Sequence, residues 1–205
     1  MYINPISPFD NARPALIFIP DISGFTRFLR NNKISQSRKY VHELLEVIVD
    51  SNVLNMKVAE ILGDAVLFYT LGTPPSITKI ETQAKKTFLD FHHSLKKLQQ
   101  ENPELNGSED LSLKIICHFG CISTTEVKGI IKLLGTDIIL AHRLLKNNIK
   151  DKEYLLMTKQ YMETQNEKLV NQSFKWGQLK SGKKKYDYIG NVDYNFITLS
   201  NLKNQ

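Results

Sequence analysis

Apolar and polar positions along this chain switch between a period of two and a period near 3.6, and the switches predict its elements. Ala15 to Ile19 is a short apolar run closed by Pro20, the pattern of a buried strand that opens into a loop at Asp21. Val41, Leu44, Leu45, Ile48 and Val49 recur at helical spacing, which predicts an amphipathic helix over Ser37 to Val53 with Ser35 or Ser37 as its cap. Met56 to Ile61 and Ala65 to Thr70 are β-prone runs separated by Leu62, Gly63 and Asp64, a hairpin with an acidic residue at its tip. Ile77, Ile80, Ala84, Phe88, Phe91, Leu95 and Leu98 mark one face of a long helix over Ser76 to Gln100, which ends near Asn102-Pro103.

Strands are expected at Leu111 to Phe119, Gly129 to Leu134 and Tyr154 to Met157. Helices are expected over Thr136 to Asn147, capped by Thr136, and over Thr158 to Gln165. Two β-prone stretches, Phe174 to Lys180 and Tyr186 to Leu199, close the chain. The fold class is therefore α+β, with a ferredoxin-like βαββαβ order in the first half and a mostly antiparallel sheet. The two long helices need a common core and are expected to pack together on one face of it.

With 205 residues, 41% hydrophobic and 23% charged, the chain fits one well-cored domain over 1–205, with 1–13 and 201–205 as loose ends. The net charge of +6 is spread too evenly for a nucleic-acid groove and suits an anionic ligand. Apolar runs such as Leu16 to Ile19 and Ile138 to Ala141 fall far short of the roughly 20 residues of a membrane span. Asn4, Pro5, Pro8, Asp10 and Arg13 break up any signal-peptide pattern, so the expected compartment is the cytoplasm. Cys117 and Cys121 on one strand stand too far apart for a disulfide and read as small core thiols. His92 and His93 read as exposed or half-buried residues rather than ligands.

Asp21 ends one strand and Asp64 tips the next hairpin. If those strands are neighbours, the paired carboxylates make a site for a hard divalent cation such as Mg²⁺, which completes its shell with phosphate oxygens and water. Asp21-Ile22-Ser23-Gly24-Phe25-Thr26 reproduces the D-[IM]-x-G-F-[ST] motif of class III nucleotidyl cyclases, and Leu62-Gly63-Asp64-Ala65 resembles their G-D-A hairpin. Leu113 to Gly120 is similar to the strand ending in G-I-H-x-G, and Gly135 to Leu144 to the helix starting G-x-x-V-N-x-A-x-R-L. The resemblance covers about residues 15 to 145 and implies the cyclase-type fold and a homodimer with sites at its interface.

It also implies roles. Asp21 and Asp64, with the backbone carbonyl of Ile22, would hold Mg²⁺ or Mn²⁺ on a nucleoside triphosphate. The backbone of Ser23, Gly24, Phe25 and Thr26 would offer N–H groups to phosphate. Arg143, from the other protomer, would meet charge building on the phosphoryl oxygens. Glu60 and Lys132 fall at the two base-reading positions. A free Glu60 favours guanine, whereas a Glu60–Lys132 pair interchanges the charges of the adenylyl pair and secures neither purine.

Two positions depart from the pattern. Ile139 stands where the family has the asparagine that orients the ribose, and Ile189-Gly190 where it has a lysine on the triphosphate. Lys183, Lys184 and Lys185 lie just upstream and are either substitutes or a solvated hairpin turn. Two expectations follow: a divergent metal-dependent cyclase that forms a 3′,5′-cyclic nucleotide and pyrophosphate, or a decayed cyclase homology domain that binds nucleotide or dimerises. A phosphoryl-transfer enzyme using only the metal pair is a third.

Overall fold

The computed structural model describes residues 12–204, so most of the expected loose start lies outside the described residues. The strands are β1 (Arg13–Ser23), β2 (Lys57–Leu62), β3 (Ala65–Leu71), β4 (Ser112–Val127), β5 (Ile130–Leu134), β6 (Tyr154–Thr158), β7 (Lys180–Tyr186) and β8 (Gly190–Thr198). They form one sheet in the order β2-β3-β1-β4-β6-β8-β7, with β5 paired to the far part of β4. Among the described residues β4–β6 is the parallel pair, and every other pairing is antiparallel. The order β2-β3-β1-β4 is that of the expected βαββαβ core.

The helices are α1 (Phe25–Asn31), α2 (Ile34–Asp50), α3 (Ile77–Glu101), α4 (Thr136–Leu144), α5 (Lys159–Met162) and α6 (Glu167–Gln172). On one face of the sheet α2 and α3 bury Tyr40, Leu44, Ile48, Ile80, Phe88 and Phe91 against Leu16, Phe18 and Ile22 of β1. On the other face α4 brings Ile138, Leu140, Ala141 and Leu144 against Ala15, Ile17 and Ile19. Being covered on both faces, β1 reads as a continuous apolar run instead of an alternating one. Burial of this many large side chains makes truncation costly, about 3–5 kcal/mol for a core Phe→Ala.

Several boundaries differ from those the sequence pattern predicts. Strand β1 does not stop at Pro20. Its register with β3 skips Ile19 and Pro20, where the ring leaves no N–H to donate, and resumes at Asp21 opposite Ala65. Pairing with β4 runs unbroken to Ser23. Helix α2 begins at Ile34, so Ser37 is inside it, its hydroxyl donating back to the Lys33 carbonyl at 3.2 Å. Helix α4 starts at Thr136 after Gly135, whose φ of 140° only glycine takes readily, and Thr136 makes no side-chain cap.

Near the end of the chain, residues 174–179 are irregular. Phe174 and Trp176 are buried there and the Trp176 indole donates to the Thr198 carbonyl at 3.0 Å. The strand lies over Lys180–Tyr186 instead, so Lys183, Lys184 and Lys185 belong to a sheet-edge strand and not to a turn. Lysines on an edge strand oppose further pairing, which is why that segment carries no apolar strand signal. The expected loose end is, over Ser200–Asn204, a 3-10 helix that buries Leu202. No helix among the described residues is long and apolar enough to cross a membrane.

Candidate functional site

The centre of the site is the end of β1 against the β2–β3 hairpin. Gly63 takes φ 62° and, with Asp64, forms the two-residue turn between Leu62 and Ala65, which pair directly. The Ile22 N–H donates to the Asp64 carbonyl at 2.9 Å, fixing the turn to β1 just beyond Asp21. The carboxyl groups of Asp21 and Asp64 are thus brought together. Burial, then the charge of Asp21, raises the Asp64 pKa above its ordinary value, against a backbone hydrogen bond and the charge of Lys114 that lower it.

Lys114 was not foreseen as a member of this site. It faces Asp21 across the β1–β4 ladder, and its Nζ lies 2.8 Å from Asp21 Oδ2 with both side chains mostly buried. Its signal in the sequence was a lysine inside an apolar strand, between Leu113 and Ile115. The local count is two carboxylates against one ammonium, and this excess of negative charge is what a divalent cation would relieve. Two oxygen donors suit Mg²⁺ or Mn²⁺, which take few carboxylates and complete their shell with phosphate and water. Among the described residues there is no cluster of three or more His, Cys, Asp or Glu side chains to cage an ion without such help.

Beyond Ser23, Gly24 holds φ 86° and leads into α1 through Phe25 and Thr26. A Cβ at Gly24 would lie 2.6 Å from the Asp110 carbonyl oxygen, so this glycine is required by the chain's own backbone. Arg27 adds a 2.8 Å ion pair to Asp110.

On the other side of the sheet, Ile139 and Arg143 stand four residues apart on α4, and Ile139 is 52% exposed. The Arg143 guanidinium donates to the Asp187 carbonyl in the β7–β8 turn, and among the described residues it makes no bond to Asp21 or Asp64. Ile189 in that turn packs partly buried against the α4 core. Lys183 faces Asp193 at 3.8 Å, Lys184 donates to the Lys146 carbonyl, and Lys185 is exposed. None of the three bonds to the aspartate pair.

Glu60 is paired rather than free: Lys132 Nζ lies 3.5 Å from one carboxylate oxygen and His142 Nε2 3.2 Å from the other. His142 was missed because nothing in the spacing ties β2 to α4.

The position of α4 is set by a second unforeseen contact. His118, fully buried, lies 2.9 Å from Thr158 Oγ1 through Nδ1 and 3.0 Å from Asp137 Oδ1 through Nε2. The Cys121 N–H donates to the other Asp137 oxygen at 2.7 Å. These bonds hold the Asp137 carboxyl below its usual range, led by the bond from His118. Cys117 is buried, which pushes its thiol well up, whereas Cys121 is exposed and is no core thiol. His92, half-buried as expected, contacts Glu153 at 2.7 Å.

This architecture is that of the class III adenylyl and guanylyl cyclase domains, whose fold the chain shares. The guanylyl cyclase Cya2 superposes with a TM-score of 0.65 at 14% identity, over 91% of this chain and 92% of that one. The guanylate cyclase domain of RhGC from Catenaria anguillulae, solved with GTP, gives 0.59 at 15% identity over 91% and 96%. At the level of sequence, the chain belongs to the family described as protein of unknown function DUF2652, whose model matches residues 41–154. It is 33% identical over 122 residues to the uncharacterized protein Rv2561/Rv2562 of Mycobacterium tuberculosis (strain ATCC 25618 / H37Rv). That match covers 57% of this chain and 56% of the relative, so the chain spans about half the length of the curated protein it matches.

Proposed function

We propose that this chain binds a nucleoside triphosphate with Mg²⁺ or Mn²⁺ between two copies of itself and closes the ribose 3′-hydroxyl onto the α-phosphorus, releasing pyrophosphate. The observation that carries the reading is the convergence of Asp21, near the end of β1, and Asp64, in the adjoining β2–β3 turn, with the Asp64 pKa raised by burial and by its neighbour's charge. Asp21, Asp64 and the Ile22 carbonyl are the residues that would hold the cation. A bound cation there would neutralise the triphosphate and lower the pKa of the attacking hydroxyl. In this reading the backbone of Ser23, Gly24, Phe25 and Thr26, which leads from β1 into α1, would run alongside the triphosphate.

Two copies are needed because Arg143 bonds elsewhere within its own chain, while charge developing on the phosphoryl oxygens calls for a guanidinium. The exposed apolar side chains Val127, Ile130, Ile131 and Leu134 of the β4–β5 arm, with Ile139 of α4, suit burial against a second copy. A second reading, a nucleotide-binding or dimerising module without turnover, is favoured by Ile139, which can neither donate nor accept at a ribose, and by Ile189, an apolar side chain where the resemblance calls for a lysine.

Calorimetric titration with Mn²⁺ and a triphosphate tests the reading. Binding by the wild-type chain and at least a tenfold loss in Asp64→Asn are expected. Equal binding by both proteins overturns the metal assignment.

A further inference from the structure

The base-reading end of the proposed site contains a side chain that the cyclase pattern does not include. Glu60 sits on β2, the edge strand of the sheet, where the register with β3 shifts between Val58 and Glu60. Val58 faces Phe68 and Glu60 faces Leu67, so Ala59 is the extra residue of a β-bulge. A bulge at a sheet edge re-aims the side chain beside it. Here Glu60 is turned onto two donors from different elements, Lys132 of β5 at 3.5 Å and His142 of α4 at 3.2 Å.

The two donors take different oxygens of the carboxylate, so the acceptor lies between them. Neither contact has hydrogen-bond geometry, and Lys132 and His142 stay 55% and 30% exposed at the side chain. Their hydrogens are therefore not fully committed to Glu60.

The pattern donor, acceptor, donor has one complement among the common ribonucleobases. Guanine presents an acceptor followed by two donors, so its second donor would meet a protein donor instead of an acceptor. Cytosine presents one donor at the end of two acceptors, so its donor does not fall between the two protein donors. Adenine offers one donor and one acceptor and leaves a protein donor facing a C–H. Uracil presents O4, N3–H and O2, an acceptor, a donor and an acceptor, and satisfies all three groups.

We infer that Glu60, Lys132 and His142 together form a base-recognition site for the imide edge of uracil, with His142 as a specificity-determining residue. The inference rests on the proposed nucleotide site and assigns its substrate class, a uridine nucleotide. Glu60 accepts from N3–H while Lys132 and His142 donate to the two carbonyl oxygens. A site built from polar groups discriminates strongly against a ligand that leaves them unpaired.

The test is the affinity of the 205-residue chain for UTP, CTP, GTP and ATP in the presence of Mn²⁺, measured for the wild type, His142→Ala and the double variant Lys132→Ala/His142→Ala. The expected result is UTP tightest by about tenfold or more in the wild type, with that margin reduced about tenfold in His142→Ala. In the double variant the freed carboxylate should turn the preference toward GTP. CTP or a purine bound more tightly, or no preference, overturns the uracil assignment and leaves the proposed function standing. Absence of binding by all four triphosphates overturns both. An unchanged UTP margin in His142→Ala with normal folding by circular dichroism removes His142 from the site.

Discussion

Lys114 stands opposite Asp21 in the β1–β4 register, with its ammonium nitrogen 2.8 Å from the Asp21 carboxylate. In the absence of metal one carboxylate of the pair is thus compensated from inside the sheet, and the other, Asp64, is pushed up in pKa by burial first and by the Asp21 charge second. Replacing Lys114 by methionine keeps the stem and removes the charge. It should cost about 3 kcal/mol of stability without metal, because a mostly buried carboxylate loses its partner. Added Mn²⁺ should raise the melting temperature of Lys114→Met more than that of the wild type. A loss no greater than that of an exposed control such as Lys86→Met counts against the pairing.

Asp64 makes the opposite prediction. Its pKa is raised in the folded state, so the penalty for ionising it is fully present above the folded value and disappears as pH falls below the ordinary carboxyl value of 3.8. Metal-free Asp64→Asn should therefore be more stable than the wild type at neutral pH, with the difference shrinking toward acid. Urea unfolding across that range measures it, and a variant less stable at pH 7 contradicts the raised Asp64 pKa.

How much of this was legible in the chain differs between elements. The α2 and α3 stripes, the Gly63-Asp64 turn and the apolar run of β1 are local patterns, and each predicted its element. The second half was harder, because β7 is a lysine-rich edge strand whose signal is charge, while Phe174 and Trp176 fill a core from irregular backbone. At the site, Asp21 and Asp64 were legible through motifs. Lys114, His142 and the His118–Asp137 contact were not, because each depends on a pairing between distant segments that the spacing does not encode.

Glu153 fixes the end of the chain. Although burial opposes its ionisation, contacts from His92, Lys203 and Ser200 hold its pKa at about 2, below the ordinary 4.5. A lowered folded pKa gives stability that is present above 4.5 and lost as pH falls toward 2. Glu153→Gln should lose about 3 kcal/mol at neutral pH and show a flatter acid-unfolding curve than the wild type. Parallel acid titrations followed by tryptophan fluorescence check this, since the Trp176 carbonyl accepts from Asn201 of the same segment.

Ile139 separates an altered site from a decayed one. In the two-copy arrangement Ile139→Asn supplies a donor and acceptor beside Arg143, and nucleotide turnover should rise about tenfold or more. A fall in turnover with unchanged nucleotide binding would show that the isoleucine has a role of its own at the interface.

The composite site is tested most directly by mixing two inactive variants. Asp64→Asn lacks a metal ligand and Arg143→Ala lacks the guanidinium, so each homodimer has two broken sites, whereas a mixed dimer has one site with both residues intact. Incubated with Mn²⁺ and the four nucleoside triphosphates and read by mass spectrometry, the wild type should release a 3′,5′-cyclic nucleotide and each variant alone none. The refolded equimolar mixture should recover roughly a quarter of the wild-type rate, as random pairing through a symmetric interface requires. No cyclic product from the wild type, or no recovery in the mixture, contradicts the account.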